Sequence, residues 1–236
     1  MVGELERIRA EYARRAQDSD LSELYSSMRP DVQLAMQTRE RAILRLLKRR
    51  GHRRLDHLDL LEVGCGGGGI LLDLIRWGAE PARLHGFDLL PDRVALARQR
   101  LPSSTSLAVA DGGAIPYPSS RFDFVLQFTV LTSVLDATLR CRIAKEMWRV
   151  LRPGGAVLSY DFRFQGRNPA VQAVHPREIR ELFPEGMFTH QRVTLAPPIS
   201  RRLARWSWLA CEFLHAIPWL RTHDLILIRK TEVADE

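Results

Sequence analysis

Residues 58–69 read LDLLEVGCGGGG, a short apolar run that closes on a glycine cluster starting at Gly64. The run has the length and the Leu/Val content of a strand buried in a parallel sheet. From Gly68 to Trp77 the sequence resumes as a helix. Glycine adopts backbone conformations closed to other residues and lets the chain come close to a ligand. The first amides of the following helix have no partners inside it. Strand, tight turn and helix in this order make a corner where a ligand meets backbone.

The same alternation continues on the C-terminal side. Residues 84–90 (LHGFDLL) predict a second strand, and Pro91 starts a helix running to about Gln99. Residues 106–110 predict a third strand, 111–121 a turn-rich loop, and 122–128 (FDFVLQF) a fourth strand. A helix is expected over 136–150, with Leu139, Ile143, Met147 and Val150 at helical spacing. LRPGG at 151–155 is expected to stop it and turn into a strand over 156–160. Strand and helix in strict succession argue for an α/β sheet covered on both faces.

Outside this region, residues 1–55 predict a two-part helical cap divided near Pro30 and ending near Gly51. The remainder, 56–236, reads as the main domain. Beyond a loop over 162–173, a short helix is expected from Pro176, strands over 191–195 and 225–229, and one helix over 200–217. That helix makes residues 198–220 a helical insertion before the last strand.

Acidic residues give the corner its chemistry. Asp88 ends the second strand, where a carboxylate accepts bonds from both hydroxyls of a ribose. Asp111 follows the third strand and can accept from an adenine amino group, while Glu62 precedes the turn and suits a cationic amine. Together they predict an adenosine-containing cofactor. Gly64, Gly66 and Gly69 also satisfy the dinucleotide spacing GxGxxG, but no second half-domain for a nicotinamide follows. The charge pattern suits an amino-acid sulfonium better than a pyrophosphate. Cys65, inside the turn, reads as a small permissive filler against the cofactor, although a helix N-terminus can lower a thiol pKa.

With these landmarks the chain resembles the class I S-adenosylmethionine-dependent methyltransferases of the small-molecule group. The resemblance rests on LEVGCGGG (61–68), GFDLL (86–90), VADGGAIPYPSSRFDFV (109–125) and EMWRVLRPGG (146–155). It implies a Rossmann-like, mostly parallel seven-stranded sheet with helices on both faces and an antiparallel last strand. It further implies S-adenosyl-L-methionine as cofactor. Gly64 and Gly66 would lie under its amino-acid and ribose parts, Asp88 on the ribose, and Leu89 against adenine. Asp111 with Gly112 would bind the adenine edge, and Gln127 with Phe128 would close the amino-acid end. Where many relatives carry His after the fourth strand, this chain has Thr129 and Thr132. That removes one possible catalytic base.

Ligands of open α/β sheets sit beyond the carboxyl ends of the strands. The candidates for catalysis are therefore Tyr160, Asp161 and His175, and for substrate contact Arg163, all following the fifth strand. Tyr25 is the lid candidate of the N-terminal helices. Trp206, in a stripe with Trp208, Leu209, Phe213 and Trp219, is a candidate wall of an apolar substrate site. The stripe equally suits a helix covering the sheet edge, a homodimer contact, or a membrane surface, since Arg201, Arg202 and Arg205 flank it.

Composition bounds the rest. With 236 residues, 45% of them hydrophobic, the chain can build a substantial core. No apolar run is long enough to span a bilayer, and no signal-peptide core opens the chain, so cytoplasmic residence is expected. Cys65, Cys141 and Cys211 are scattered and no CxxC occurs, so neither a disulfide scaffold nor a metal site is expected. The net charge of +7 concentrates in RERAILRLLKRRGHRR (39–54). It lacks the interleaved aromatics of a nucleic-acid stacking surface, and no RNA-binding module is recognisable. The leading expectation is methyl transfer to oxygen or nitrogen of a small, partly apolar molecule, by a monomer or homodimer. The alternatives are RNA or protein methylation, and a catalytically silent cofactor-binding scaffold.

Overall fold

The computed structural model describes residues 2–166 and 168–231; Arg167, within the expected loop, lies outside them. Seven strands form one sheet. They are β1 (Leu60–Val63), β2 (Leu84–Asp88), β3 (Ser106–Val109), β4 (Phe122–Phe128), β5 (Leu151–Phe162), β6 (Met187–Leu195) and β7 (Arg221–Arg229). Their order is β3-β2-β1-β4-β5-β7-β6. The first five pair in parallel, and β7 runs antiparallel to both β5 and β6. This is the Rossmann-like, mostly parallel sheet expected, with its last strand reversed.

Strand side chains alternate between faces, and the helices sort accordingly. Leu60, Phe124, Leu126 and Leu158 pack beneath α3 (Pro30–Arg49), α4 (Gly69–Arg76) and α5 (Pro91–Arg100). Leu61, Val63, Val125 and Val157 pack beneath α6 (Ala137–Val150) and α7 (Pro176–Leu182). Ala42, Ile43, Leu46 and Leu47 of α3 belong to the sheet's own core. The N-terminal segment therefore contributes a structural layer as well as α1 (Val2–Gln17) and α2 (Ser19–Leu24).

The structure corrects three boundaries. The helix expected over 200–217 is two helices, α8 (Pro197–Leu203) and α9 (Trp208–His215). Ser207 is extended between them, and its Oγ accepts the Ala210 amide at 3.1 Å, so an N-cap starts a new helix. β5 begins at Leu151 because that residue already pairs with Phe122 of β4, so LRPGG enters the strand instead of preceding it. β6 and β7 extend beyond their apolar segments because they pair with each other along nearly their whole lengths.

Candidate cofactor and active site

At the C-terminal edge of β1, β2 and β4 lies an open cleft. Gly64, at φ +68°, forms its floor, and a Cβ built there would stand 2.5 Å from Val130 Cγ2. Cys65 and Gly68 close the turn through a 2.9 Å amide-to-carbonyl bond, and Gly68, at φ +80°, starts α4. Asp88 ties the corner together. Its Oδ2 accepts the Gly66 amide at 2.9 Å and its Oδ1 the Leu90 amide at 3.0 Å, while the side chain still lines the cleft. Each carboxylate oxygen keeps a further acceptor site for a ligand hydroxyl. Leu89, Asp111, Gly112 and Phe128 line the same cleft.

The other expected cofactor residues lie one layer behind. Cys65 is buried against Gly86, and burial pushes its thiol pKa up, so it packs as a filler. Glu62 is buried beneath the turn on the α3 side. Desolvation holds its pKa well above the usual carboxylate range against the pull of Arg39, and its Oε2 has no hydrogen-bond partner. Gln127 is fully buried. Its Oε1 accepts the amides of Val130 (3.0 Å) and Leu131 (3.4 Å), shaping the loop after β4 that walls the cleft. Thr129 in that loop sits at φ +59°, a strained conformation for a β-branched residue and typical of binding sites.

The roof of the cleft is α1. Leu5, Ile8 and Tyr12 line it, one stripe at helical spacing that the sequence displays and that identifies Tyr12 as the aromatic of the N-terminal helices facing the cofactor site. Tyr25 caps α2 with its side chain 69% exposed. Glu4 Oε1 accepts the Leu135 amide at 2.7 Å, and Arg7 donates to the carbonyls of Ser133 (2.8 Å) and Ala170 (3.3 Å). The Tyr12 hydroxyl meets Ser133 Oγ at 3.2 Å, and the Arg93 guanidinium stacks 4.4 Å from the Tyr12 ring. Arg93 carries no sequence signal for this role. Replacing Tyr12 with alanine is expected to weaken cofactor binding about tenfold by opening the roof, with little change in melting temperature. Calorimetry and a thermal melt check the pair.

The structure does not gather the expected catalytic and substrate residues around the cleft. Tyr160 and Asp161 are consecutive in β5, so they point to opposite faces and cannot share a site. Asp161 is buried in a network, accepting from Ser159 Oγ (3.0 Å), the Thr132 amide (3.3 Å) and Gln127 Nε2. Tyr160 bonds Thr194 Oγ1 at 2.8 Å and stacks on His223 at 4.9 Å, with the Arg39 guanidinium 5.5 Å from its ring. His175 is exposed at the start of α7, and Arg163 turns to Asp224 at 3.6 Å. Trp206 is 77% exposed on the insertion.

Two of these buried groups make opposite contributions to stability with pH. Burial pushes Asp161 up to about 7, against the pull of its hydrogen bonds. Its contribution is complete below the unfolded value and is lost as pH rises towards 7. Burial, then Arg39, pushes His223 down to about 4, so its contribution is complete above pH 6.5 and lost as pH falls towards 4. Urea melts at about pH 4 and pH 7 check this. Relative to the parent, Asp161→Asn should lose less stability on raising pH, by up to about 4 kcal/mol, and His223→Gln should gain less, by up to about 3 kcal/mol.

The sheet order, the glycine corner and the paired acids define a class I S-adenosylmethionine-dependent methyltransferase architecture. Residues 61–159 match a family described as a methyltransferase domain, and the fold is that of the class I methyltransferases. S-adenosylmethionine is the cofactor of that class, and the residues present fit it. There is a cradle that a Cβ would fill at Gly64, an acid with spare acceptor sites at Asp88, and a buried acid with an orphaned oxygen at Glu62.

Among similar proteins, a demethylmenaquinone methyltransferase of Bacillus licheniformis is 31% identical over 100 residues, 42% of this chain and 42% of its own. A tRNA N(3)-cytidine methyltransferase of Gallus gallus is 28% identical over 111 residues, 44% of this chain and 30% of its own. The matches span less than half the length of these relatives. A Burkholderia thailandensis 1,6-didemethyltoxoflavin-N1-methyltransferase, solved with 1,6-didemethyltoxoflavin and S-adenosylhomocysteine bound, superposes with TM-score 0.65 at 19% identity, covering 96% of this chain and 88% of its own.

Proposed function

We propose that this chain is an enzyme that transfers a methyl group from S-adenosylmethionine to nitrogen or oxygen of a small, partly apolar molecule. The observation that carries this reading is the roofed cleft. Two acids suited to adenosine sit in it beneath the apolar underside of α1, whose Leu5 and Ile8 offer an apolar wall to a small acceptor. S-adenosylmethionine supplies an electrophilic methyl: a new bond to the acceptor forms as the carbon–sulfur bond breaks, and a neutral thioether leaves. The chain's part is placement. Asp88 and Asp111 orient the adenosine, Gln127 and Asp161 hold the wall at Phe128–Ser133, and Leu5, Ile8 and Tyr12 exclude water. Apart from those two acids, the ionisable side chains lining the cleft are Arg93, a hydrogen-bond donor only, and Tyr12, whose hydroxyl is engaged by Ser133. The acceptor class favoured is therefore an amine, or a phenol that ionises readily.

The quinone and heterocycle named for two of the similar proteins agree with a small, partly apolar acceptor. Incubating the protein with S-adenosylmethionine and a panel of amines, phenols, catechols and sugars should add one methyl mass to at least one acceptor. Cofactor binding without turnover on any of them would favour the silent-scaffold reading. RNA methylation is the second reading, favoured by the +7 charge and the tRNA-modifying relative. It requires salt-dependent retention on tRNA, with a slope that falls when Arg49, Arg50, Arg53 and Arg54 are neutralised.

A further inference from the structure

We propose that the insertion between β6 and β7 docks this protein onto an anionic lipid surface. Of the residues in α9, only Cys211 is buried. Leu209 (81% exposed) and Phe213 (74%), one turn apart, stand out from the helix, with Trp206 in the preceding turn and Trp219 (73%) in the following one. Isolated exposed apolar side chains are ordinary, but a cluster of this kind within residues 206–219 marks a contact surface.

Its surroundings identify the partner. Arg201, Arg202 and Arg205 stand exposed on the α8 side of the cluster, and the Arg205 guanidinium lies 5.3 Å from the Trp206 ring. Arg201 is only loosely compensated, 3.8 Å from Asp31. Glu212, the sole acid between Leu195 and Arg221, is tied to Arg41 of α3. The insertion therefore offers indole rings and aliphatic side chains beside positive charge that its own acid does not cancel. Tryptophan beside arginine is what the headgroup layer of an anionic bilayer accommodates, with rings at the boundary and guanidinium groups on phosphates. The two signals reinforce each other, since neither a small apolar patch nor a few cations alone hold a protein on a membrane. No helix among the described residues is long and apolar enough to cross one, so the contact lies in the interface plane.

The position gives the contact a use. The insertion leaves the C-terminal end of β6 and returns at the start of β7, on the same sheet edge as the cofactor cleft. Docking there brings that edge towards the bilayer, where a partly apolar acceptor concentrates. This last clause rests on the methyl-transfer reading; the docking itself does not.

Flotation of the full chain with pure phosphatidylcholine vesicles and with equimolar phosphatidylcholine–phosphatidylglycerol vesicles tests the proposal. The protein should float with the anionic vesicles and far less with the neutral ones, and brominated acyl chains should quench its tryptophan emission. Leu209→Ser with Phe213→Ser should weaken partitioning at least about tenfold. Arg201→Gln, Arg202→Gln and Arg205→Gln together should cost about fivefold per arginine on anionic vesicles and remove the salt dependence. All five residues are exposed, so S-adenosylhomocysteine affinity by calorimetry and melting temperature should stay unchanged. The proposal is overturned by protein that binds S-adenosylhomocysteine yet floats with neither vesicle, or by flotation indifferent to both sets of substitutions. A dimer in light scattering that the Leu209→Ser, Phe213→Ser protein loses would overturn it too, by assigning the face to a second copy. Failure to bind S-adenosylhomocysteine strikes the methyl-transfer reading instead, so the two are separable.

Discussion

Replacing Asp88 with alanine is expected to weaken S-adenosylhomocysteine binding by about two orders of magnitude or more. One carboxylate does two jobs in this fold. It accepts the amides of Gly66 and Leu90, which fixes the glycine corner against the end of β2, and it faces the cleft where a ribose would lie. Alanine leaves the two amides without their partner and removes the charged acceptor for the ribose hydroxyls. Hydrogen bonds to a charged group contribute about 1.5–3 kcal/mol each, so losing two towards the ligand accounts for the expected factor even before the corner loosens. Asp88→Asn keeps one acceptor oxygen and should fall between. Calorimetry separates the three proteins, and an alanine variant with parental affinity would remove Asp88 from the ribose site.

Gly64→Ala should be nearly as damaging, for a steric reason. At φ +68° the position is left-handed, which disfavours alanine by about 1–2 kcal/mol. The new Cβ would also stand 2.5 Å from Val130 Cγ2. Val130 cannot simply retreat, because Gln127 Oε1 holds its amide and Asp161 holds the amide of Thr132. We expect a lower melting temperature and about 100-fold weaker cofactor binding, the combined effect of overpacking and a displaced cleft wall. Adding Val130→Ala removes the clash but not the backbone strain, so it should recover part of the stability. If Gly64→Ala alone binds S-adenosylhomocysteine like the parent, the turn does not cradle the ligand as described.

Much of the candidate cleft was legible in the sequence because its requirements are local. A left-handed turn demands glycine, and an acid at a strand end is recognisable from the strand alone. Asp88, Asp111 and Gly64 could therefore be read without knowing what packs over them. Asp161 shows where such reading stops. Its position after a predicted strand suggested an accessible base, but β5 runs on to Phe162, and pairing with β7 carries Asp161 into the interior. Strand length there is decided by a partner about 60 residues further along the chain, Asp161 pairing with Asp224, which no local window contains. Tyr25 and Tyr12 differ in the same way. Both lie on N-terminal helices, but only Tyr12 continues the stripe from Leu5 and Ile8. Likewise, the insertion's apolar spacing fitted one helix, and the Ser207 cap, a single side-chain bond, divided it.

The place of β7 in the sheet has a consequence for biosynthesis. It is the last strand in sequence yet lies inside the sheet, bridging β5 and β6. Until residues 221–229 leave the ribosome, β5 presents an open edge that includes Ala156, Val157, Leu158 and Tyr160, and β6 has no strand to join. Unpaired edges of this kind template association between chains. The N-terminal half of the sheet, from β3 to β5, can assemble during synthesis, whereas the half that carries the insertion must wait for the final strand. Nascent chains stalled between residues 162 and 221 should therefore be the aggregation-prone species and the natural clients of a chaperone.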